Sequence, residues 1–229
     1  MTDFILLQLN DALFPIGGYT QSYGLETYVQ KNIIYNAETF LQYVKNYLHY
    51  SVLYTDLLAV NLAFEAALQR DLSSIVCIET ILSATKVAIE IRQASQKMGS
   101  RFIKNCHALS LVPKESIFSD YQQYIDAQHI TGHHAVAYAV FSAALNLDKE
   151  AVLSHYLYAQ LSGVINTGVK LIPLSQTQGQ IVLTQLLSEL EAILLILKTL
   201  SIDDLGRSSP GFELRAMQHA DLYSRLYMS

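Results

Sequence analysis

Apolar residues recur at intervals of three and four along almost the whole of this 229-residue chain, while strict apolar–polar alternation is rare. That periodicity places apolar side chains on one face of an α-helix and leaves little material for half-buried strands. The clearest stripe is Leu183, Leu186, Leu187, Leu190, Leu194 and Leu197, with Glu189, Glu191 and Lys198 off it. Pro15, Pro113, Pro173 and Pro210 each fall where a helical pattern starts or stops, as a residue without an N–H must. The pattern predicts about ten helices, over residues 5–12, 22–31, 37–50, 55–69, 72–83, 86–109, 114–125, 132–145, 149–171 and 178–201, and a last one at 212–225. No alternation of β and α elements supports a parallel sheet, and no repeat or low-complexity linker divides the chain. The expected fold is a single all-α globular domain spanning residues 1–229. Residues 203–211, DDLGRSSPG, hold two glycines and a proline; they are expected to form a flexible connection to a C-terminal tail, 212–229.

Composition narrows the partners. Fifteen Lys and Arg against 20 Asp and Glu give a net charge of −5, with no basic run, so nucleic acid is not expected to bind. The longest uninterrupted apolar runs, such as Ala192–Leu197, fall far short of a bilayer span, and no basic n-region accompanies Asp3 and Asp11. The expectation is a cytoplasmic chain with no membrane segment. Cys77 and Cys106 lie in separate apolar segments without CxxC spacing, which suits buried thiols in a reducing compartment and excludes a zinc ribbon or redox motif.

Four features stand out chemically. Residues 12–25, ALFPIGGYTQSYGL, carry no charge; Pro15 with Gly17 and Gly18 sets a tight bend that presents Tyr19, Thr20, Gln21 and Ser22. From the residues alone the favoured reading of this segment is a turn capping the helix through Glu26, with Ser22 as N-cap; the glycines do not form GxxxxGK and no strand precedes them, which gives little support to phosphate binding. Lys170 is the only formally charged residue between Ala151 and Ser188; three residues before Pro173, it snorkels to water, pairs with a carboxylate from elsewhere, or caps helix carbonyls. Of the seven histidines, His129 and His133 share a helical spacing, but Thr131 and Gly132 interrupt it, and no metal-ligand set is assigned. In the tail, Phe212, Ala216, Tyr223 and Tyr227 mark one side of a predicted amphipathic helix, and Asp221 and Arg225 are spaced to pair. Such a helix docks on its own body or in a partner's groove.

No catalytic triad order, nucleotide motif or paired-carboxylate frame emerges from the residues. The enzymatic alternative is a small all-α catalyst using Tyr19, Lys170 and a histidine as acid and base. A bundle storing an apolar ligand is a further alternative.

Several segments together resemble the UreF family of urease accessory proteins: residues 8–26, QLNDALFPIGGYTQSYGLE; the Glu90-x-Arg92-x-x-Ser95-x-x-Met98-Gly99 spacing; residues 166–180, NTGVKLIPLSQTQGQ; and the ending 217–227, MQHADLYSRLY. The resemblance implies an all-helical homodimer without catalytic activity or cofactor. It also implies binding to a UreD/UreH-type accessory protein and to the GTPase UreG, in a complex inserting nickel into the urease apoenzyme. By matching position, Tyr19, Tyr158 and Lys170 correspond to residues implicated on the GTPase side, and Phe212, Met217, His219, Tyr223 and Arg225 to the UreD/UreH side. Gly168, Ser175 and Phe212 stand where many members carry Ala, Gly and Leu, which bears on local packing.

Overall fold

A computed structural model describes residues 2–112, 114–128, 130–207 and 209–228, with the side chains of residues 2 and 3 left aside. Among these residues the chain is all α-helical, without strands: α1 (Thr2–Leu9), α2 (Leu25–Gln30), α3 (Ala37–Tyr47), a π-helical stretch (Leu48–Leu57), α4 (Leu58–Leu68), α5 (Leu72–Thr85), α6 (Ile89–Ala108), α7 (Ile117–Gln128), α8 (His134–Ala144), α9 (Lys149–Leu171), α10 (Gln176–Gln185), α11 (Leu187–Leu197) and α12 (Pro210–His219).

The centre is α8. Its sequence, HAVAYAVFSAA, is apolar all round, and a helix of that kind has no face to give to water. Residues Ala135 to Val140 are all fully buried, enclosed by α4, α6, α7 and α9. The alanines of α4, Ala59, Ala63, Ala66 and Ala67, are buried as well; short side chains on both helices let α4 and α8 approach closely.

Helix starts follow local chemistry. Asn36 caps α3 with Thr39 in a reciprocal box, Asp148 accepts from Ala151 N at the head of α9, and Asp71 accepts from Ser74 N at α5. Ser175 caps α10, its hydroxyl accepting from Gln178 N while the Gln178 side chain accepts from Ser175 N. Gly168 has a packing reason: a Cβ there would come within 2.1 Å of the ring of Phe40, which is completely buried.

Several boundaries differ from the sequence expectation. The helices expected at 37–50 and 55–69 form one run, because the π-helical stretch carries the chain through residues 51–54 without a break. The helix expected at 178–201 is instead two, parted at Leu186, which turns into the core while Leu187 stays exposed. Ser22 does not cap α2: Gly24, at φ 84°, holds that position, and α2 starts at Leu25. The last helix ends at His219, so Asp221 and Arg225 are not on one helical face, and Arg225 pairs with Glu90 instead. Cys106 is buried and its thiol is pushed up to about 12, whereas Cys77 is exposed, against the expectation of burial for both. Pro113 and His129 lie outside the described residues.

Core helices of a folded protein can pass a test of length and apolar composition for a bilayer span. By length and composition two stretches qualify, Ala37–Leu68 and Gln176–Leu197, because helices joined end to end exceed any single apolar run. The first threads the core through Phe40, Val44, Leu48, Leu57 and Val60, and the second bends at Leu186.

Candidate functional site

The Pro15–Gly18 bend is held from outside by α6. Asn105 Nδ2 donates to Pro15 O at 3.1 Å and Arg101 to Ile16 O at 3.3 Å. Gly17 takes φ 84°, a conformation that L side chains rarely adopt; of the glycine pair, only this one uses its freedom. The chain then makes a single 3-10 turn over Gly18–Thr20, which leaves Tyr19 69% exposed.

Opposite the bend, α9 contributes Tyr156, Tyr158, Asn166, Thr167 and Lys170 to a cavity of about 190 Å³ that Tyr19, Gln21, Ser22, Tyr23 and His134 also line. All three residues that the resemblance assigns to the GTPase side thus line one concavity, Tyr158 and Lys170 from α9 and Tyr19 from the distant bend. Tyr158 is 46% exposed, Lys170 lies in the last turn of α9, and no carboxylate of the described residues pairs with Lys170. His134 is enclosed by the rings of Phe102, Tyr138 and Tyr156; burial drives its pKa down to about 4, and its Nε2 has no partner among the described residues.

The Glu90-to-Gly99 spacing resolves into separate contacts along α6. Glu90 meets the tail, Arg92 donates to Lys86 O, Ser95 bonds His133 Nδ1 at 3.0 Å, and Met98 Sδ accepts from Tyr23 OH. A Cβ on Gly99 would meet Gly132 O at 2.2 Å, so α6 lies directly against the segment leading into α8.

The C-terminal segment lies on its own body, against α2 and α6. Phe212 enters an aromatic cluster with Tyr28, Tyr43 and Tyr47, centroids 5.6–6.2 Å away, and Tyr28 OH donates to Gly211 O. Ala216 packs over Gly24, whose missing side chain admits it. His219 is fully buried between Glu26 and Glu90. Beyond the helix, Glu26 accepts the N–H groups of Leu226 and Tyr227, and Met228 N donates to Thr20 O at 2.8 Å. Of the five residues assigned to the UreD/UreH side, Phe212 and His219 therefore face inward. Met217 and Tyr223 are exposed, as are Leu214, Leu226 and Met228, and Arg225 is half exposed on Glu90. Residues 203–211 are in contact with the body at Gly206, whose N–H donates to Tyr54 O at 2.7 Å, and at Arg207, which lies over the Tyr54 ring.

Among the described residues no group of three or more His, Cys, Asp or Glu could hold a metal ion. His133 is occupied by Ser83 and Ser95, each 3.0 Å from a ring nitrogen. Sequence reasoning assigned no contact to Glu26, Glu79 or Glu90. Each is an acidic residue on a helix, and nothing in its local spacing announces a partner more than 40 residues away.

What the fold and these surfaces define is an all-helical protein with an open concavity on one part and a docked, outwardly apolar C-terminal segment on another. Comparison with known proteins agrees: the UreF family model matches residues 34–187. The urease accessory protein UreF of Bacillus sp. (strain TB-90) is 36% identical over 224 residues, covering 98% of this chain and 97% of its own length. UreF of Actinobacillus pleuropneumoniae is 35% identical over 224 residues with the same coverage, and that of Haemophilus influenzae (strain ATCC 51907 / DSM 11121 / KW20 / Rd) is 37% identical over 228 residues, covering 98% and 94%. The chain belongs to the UreF family of urease accessory proteins.

Proposed function

We propose that this chain is a cytoplasmic, non-catalytic scaffold of urease maturation. As a homodimer it binds a UreD/UreH-type accessory protein through its C-terminal segment and recruits the GTPase UreG at the concavity of Tyr19, Tyr158 and Lys170. GTP-dependent nickel delivery is thereby coupled to the urease apoenzyme. The observation that carries this reading is the gathering of Tyr19, Tyr158 and Lys170 on one accessible concavity, with no carboxylate of the described residues on Lys170, which is open to a carboxylate of a partner. The outward side chains of the tail, Leu214, Met217, Tyr223 and Leu226, supply a second, apolar surface suited to a different protein. Phe212 and His219 contribute to that surface by holding the segment in place.

The enzymatic alternative has one point in its favour, since Tyr19, Lys170 and His134 line the same cavity. Against it, His134 Nε2 is enclosed by aromatic rings, and the relatives are accessory proteins. Size-exclusion chromatography with mass detection, run with and without the two candidate partners, tests the scaffold. The expected result is a dimer that takes up both; Lys170→Ala keeps helicity and dimerisation and loses UreG. Tight GTP binding or turnover by the isolated chain, or full nickel occupancy of urease in cells lacking it, would overturn the reading.

A further inference from the structure

Both ring nitrogens of His219 face carboxylates: Nδ1 lies 2.8 Å from Glu90 Oε2 and Nε2 lies 3.0 Å from Glu26 Oε2. An ionised carboxylate only accepts hydrogen bonds, and a neutral imidazole carries a single N–H. Satisfying both contacts therefore requires one proton more than a neutral ring and two carboxylates possess. The His219 side chain is fully buried and Glu26 is 2% exposed, so water cannot supply the missing donor at that end. A lone pair held against a carboxylate there would cost the desolvation of both groups without a bond.

The remaining charges around the ring do not remove the need. From α2 only Glu26 faces it, and the two Glu26 oxygens also accept the N–H groups of Leu226 and Tyr227, at 2.8 and 3.2 Å. From α6 comes Glu90, whose other oxygen takes Arg225 at 2.9 Å, while Arg92 is turned to Lys86 O. On α12 itself, Arg215 is bonded to Gln218, and Glu213 feels the charge of Lys86.

We propose that docking of the C-terminal segment is proton-linked: His219 takes up a proton as it seats between Glu26 and Glu90, and the segment releases as pH rises above neutrality. The imidazolium then donates to both carboxylates in charge-assisted bonds, and Glu26 keeps the 226–227 backbone in register. An imidazole in water loses its second proton near pH ~6.5, so above neutrality an undocked ring is neutral and docking must draw a proton from solution. The inference concerns this chain's own contacts and does not rest on the identity of any partner.

The test uses the full-length protein. Amide hydrogen exchange at Leu226 and Tyr227, corrected for the intrinsic rate and referenced to Val140 in α8, reports opening of the segment. One linked proton predicts an opening equilibrium that rises about tenfold per pH unit between about pH 7.5 and 9. Nitrogen-15 spectra of the ring are expected to show both nitrogens protonated at pH 7. In Glu90→Gln the amide can itself donate to Nδ1, leaving Nε2–H for Glu26, so the segment stays docked and the slope flattens. A pH-independent opening in the unmodified protein, a slope that persists in Glu90→Gln, or a neutral ring in the docked state at pH 7 would each overturn the proposal. The ring spectrum decides the matter even where a variant fails to fold.

Discussion

Two buried glutamates in this protein each accept backbone N–H hydrogen bonds and belong to a cluster with a histidine, and the two histidines have different surroundings. Glu79, on α5, accepts the His133 backbone N–H with both oxygens, at 3.1 and 3.0 Å, and the hydroxyl of Tyr121. Glu26, on α2, accepts the backbone N–H groups of Leu226 and Tyr227 and faces a histidine ring. The difference lies in the second side of each histidine. His133 turns its ring to Ser83 and Ser95, whose hydroxyls donate or accept as needed, so the knot can be neutral. Burial accordingly pushes Glu79 up to about 7 and His133 down to about 4. His219 instead has a carboxylate on each side, Glu26 Oε2 at 3.0 Å and Glu90 Oε2 at 2.8 Å. The Glu79 knot ties α5, α7 and α8 into the core; the Glu26 cluster fastens a segment lying on the surface of the body. Hydroxyls beside His133 can donate or accept and so satisfy either form of the ring, whereas the two carboxylates beside His219 can only accept when ionised.

Breaking the core knot is expected to give the largest effect. Glu79→Leu leaves the Tyr121 hydroxyl and the His133 N–H buried without an acceptor, and a loss of about 3 kcal/mol in global stability is expected from denaturant unfolding. Glu79→Gln, which retains an acceptor, is expected to lose much less. An equal loss in both variants would mean that the charge rather than the hydrogen bonds matters there.

The pH dependence of global unfolding sharpens the same contrast. His133 and His134 are both held near 4 by burial, so between about pH 4 and 6.5 the unfolded chain binds protons that the folded one refuses, and stability rises with pH in that window. Glu79 acts oppositely. Its carboxyl keeps a proton in the folded state up to about 7, so its contribution falls as pH rises from about 4.5 to 7. Two histidines against one glutamate give a net rise through acid to neutral pH. Replacing Glu79 with Gln is expected to steepen that rise, which unfolding midpoints at several pH values will measure.

Breaking the surface cluster has a smaller, local consequence. Glu26→Ala removes the acceptor of two backbone N–H groups and of His219, and is expected to raise the opening equilibrium of residues 219–228 with little change in the unfolding midpoint of α8. A parallel loss of exchange protection in α8 would show that segment and body form one cooperative unit. Smallest of all, Met217→Asp is expected to leave stability within about 0.5 kcal/mol, because Met217 is exposed on the outer face of α12. Its expected effect is on binding of a UreD/UreH-type partner, read by co-elution.

The sequence pattern carried the architecture a long way. Periodicity alone separated this chain from any sheet fold, located Pro210 at the head of the last helix, and set apart the Pro15–Gly18 bend and Lys170 as unusual. Its errors are of one kind. A π-helical stretch keeps 37–68 continuous, a one-residue turn at Leu186 divides a perfect-looking leucine stripe, and Cys77 faces outward from an apolar segment. Each depends on what packs against the element, which periodicity within the element does not encode.

Local side-chain spacing is enough to determine that this chain folds into helices, because a 3.6-residue repeat makes one face apolar whatever surrounds it. Asn36, Asp71, Asp148 and Ser175 then fix helix starts through bonds made within three residues. Tertiary structure alone decided that Glu26 would meet His219 across 193 residues, and that Tyr19, Tyr158 and Lys170 would share one concavity. The reason is physical. Helix formation and capping are settled within a few residues, whereas pairing distant polar groups depends on how the apolar faces of α2, α6, α9 and α12 pack together, a property of the whole core and of no single stretch of chain.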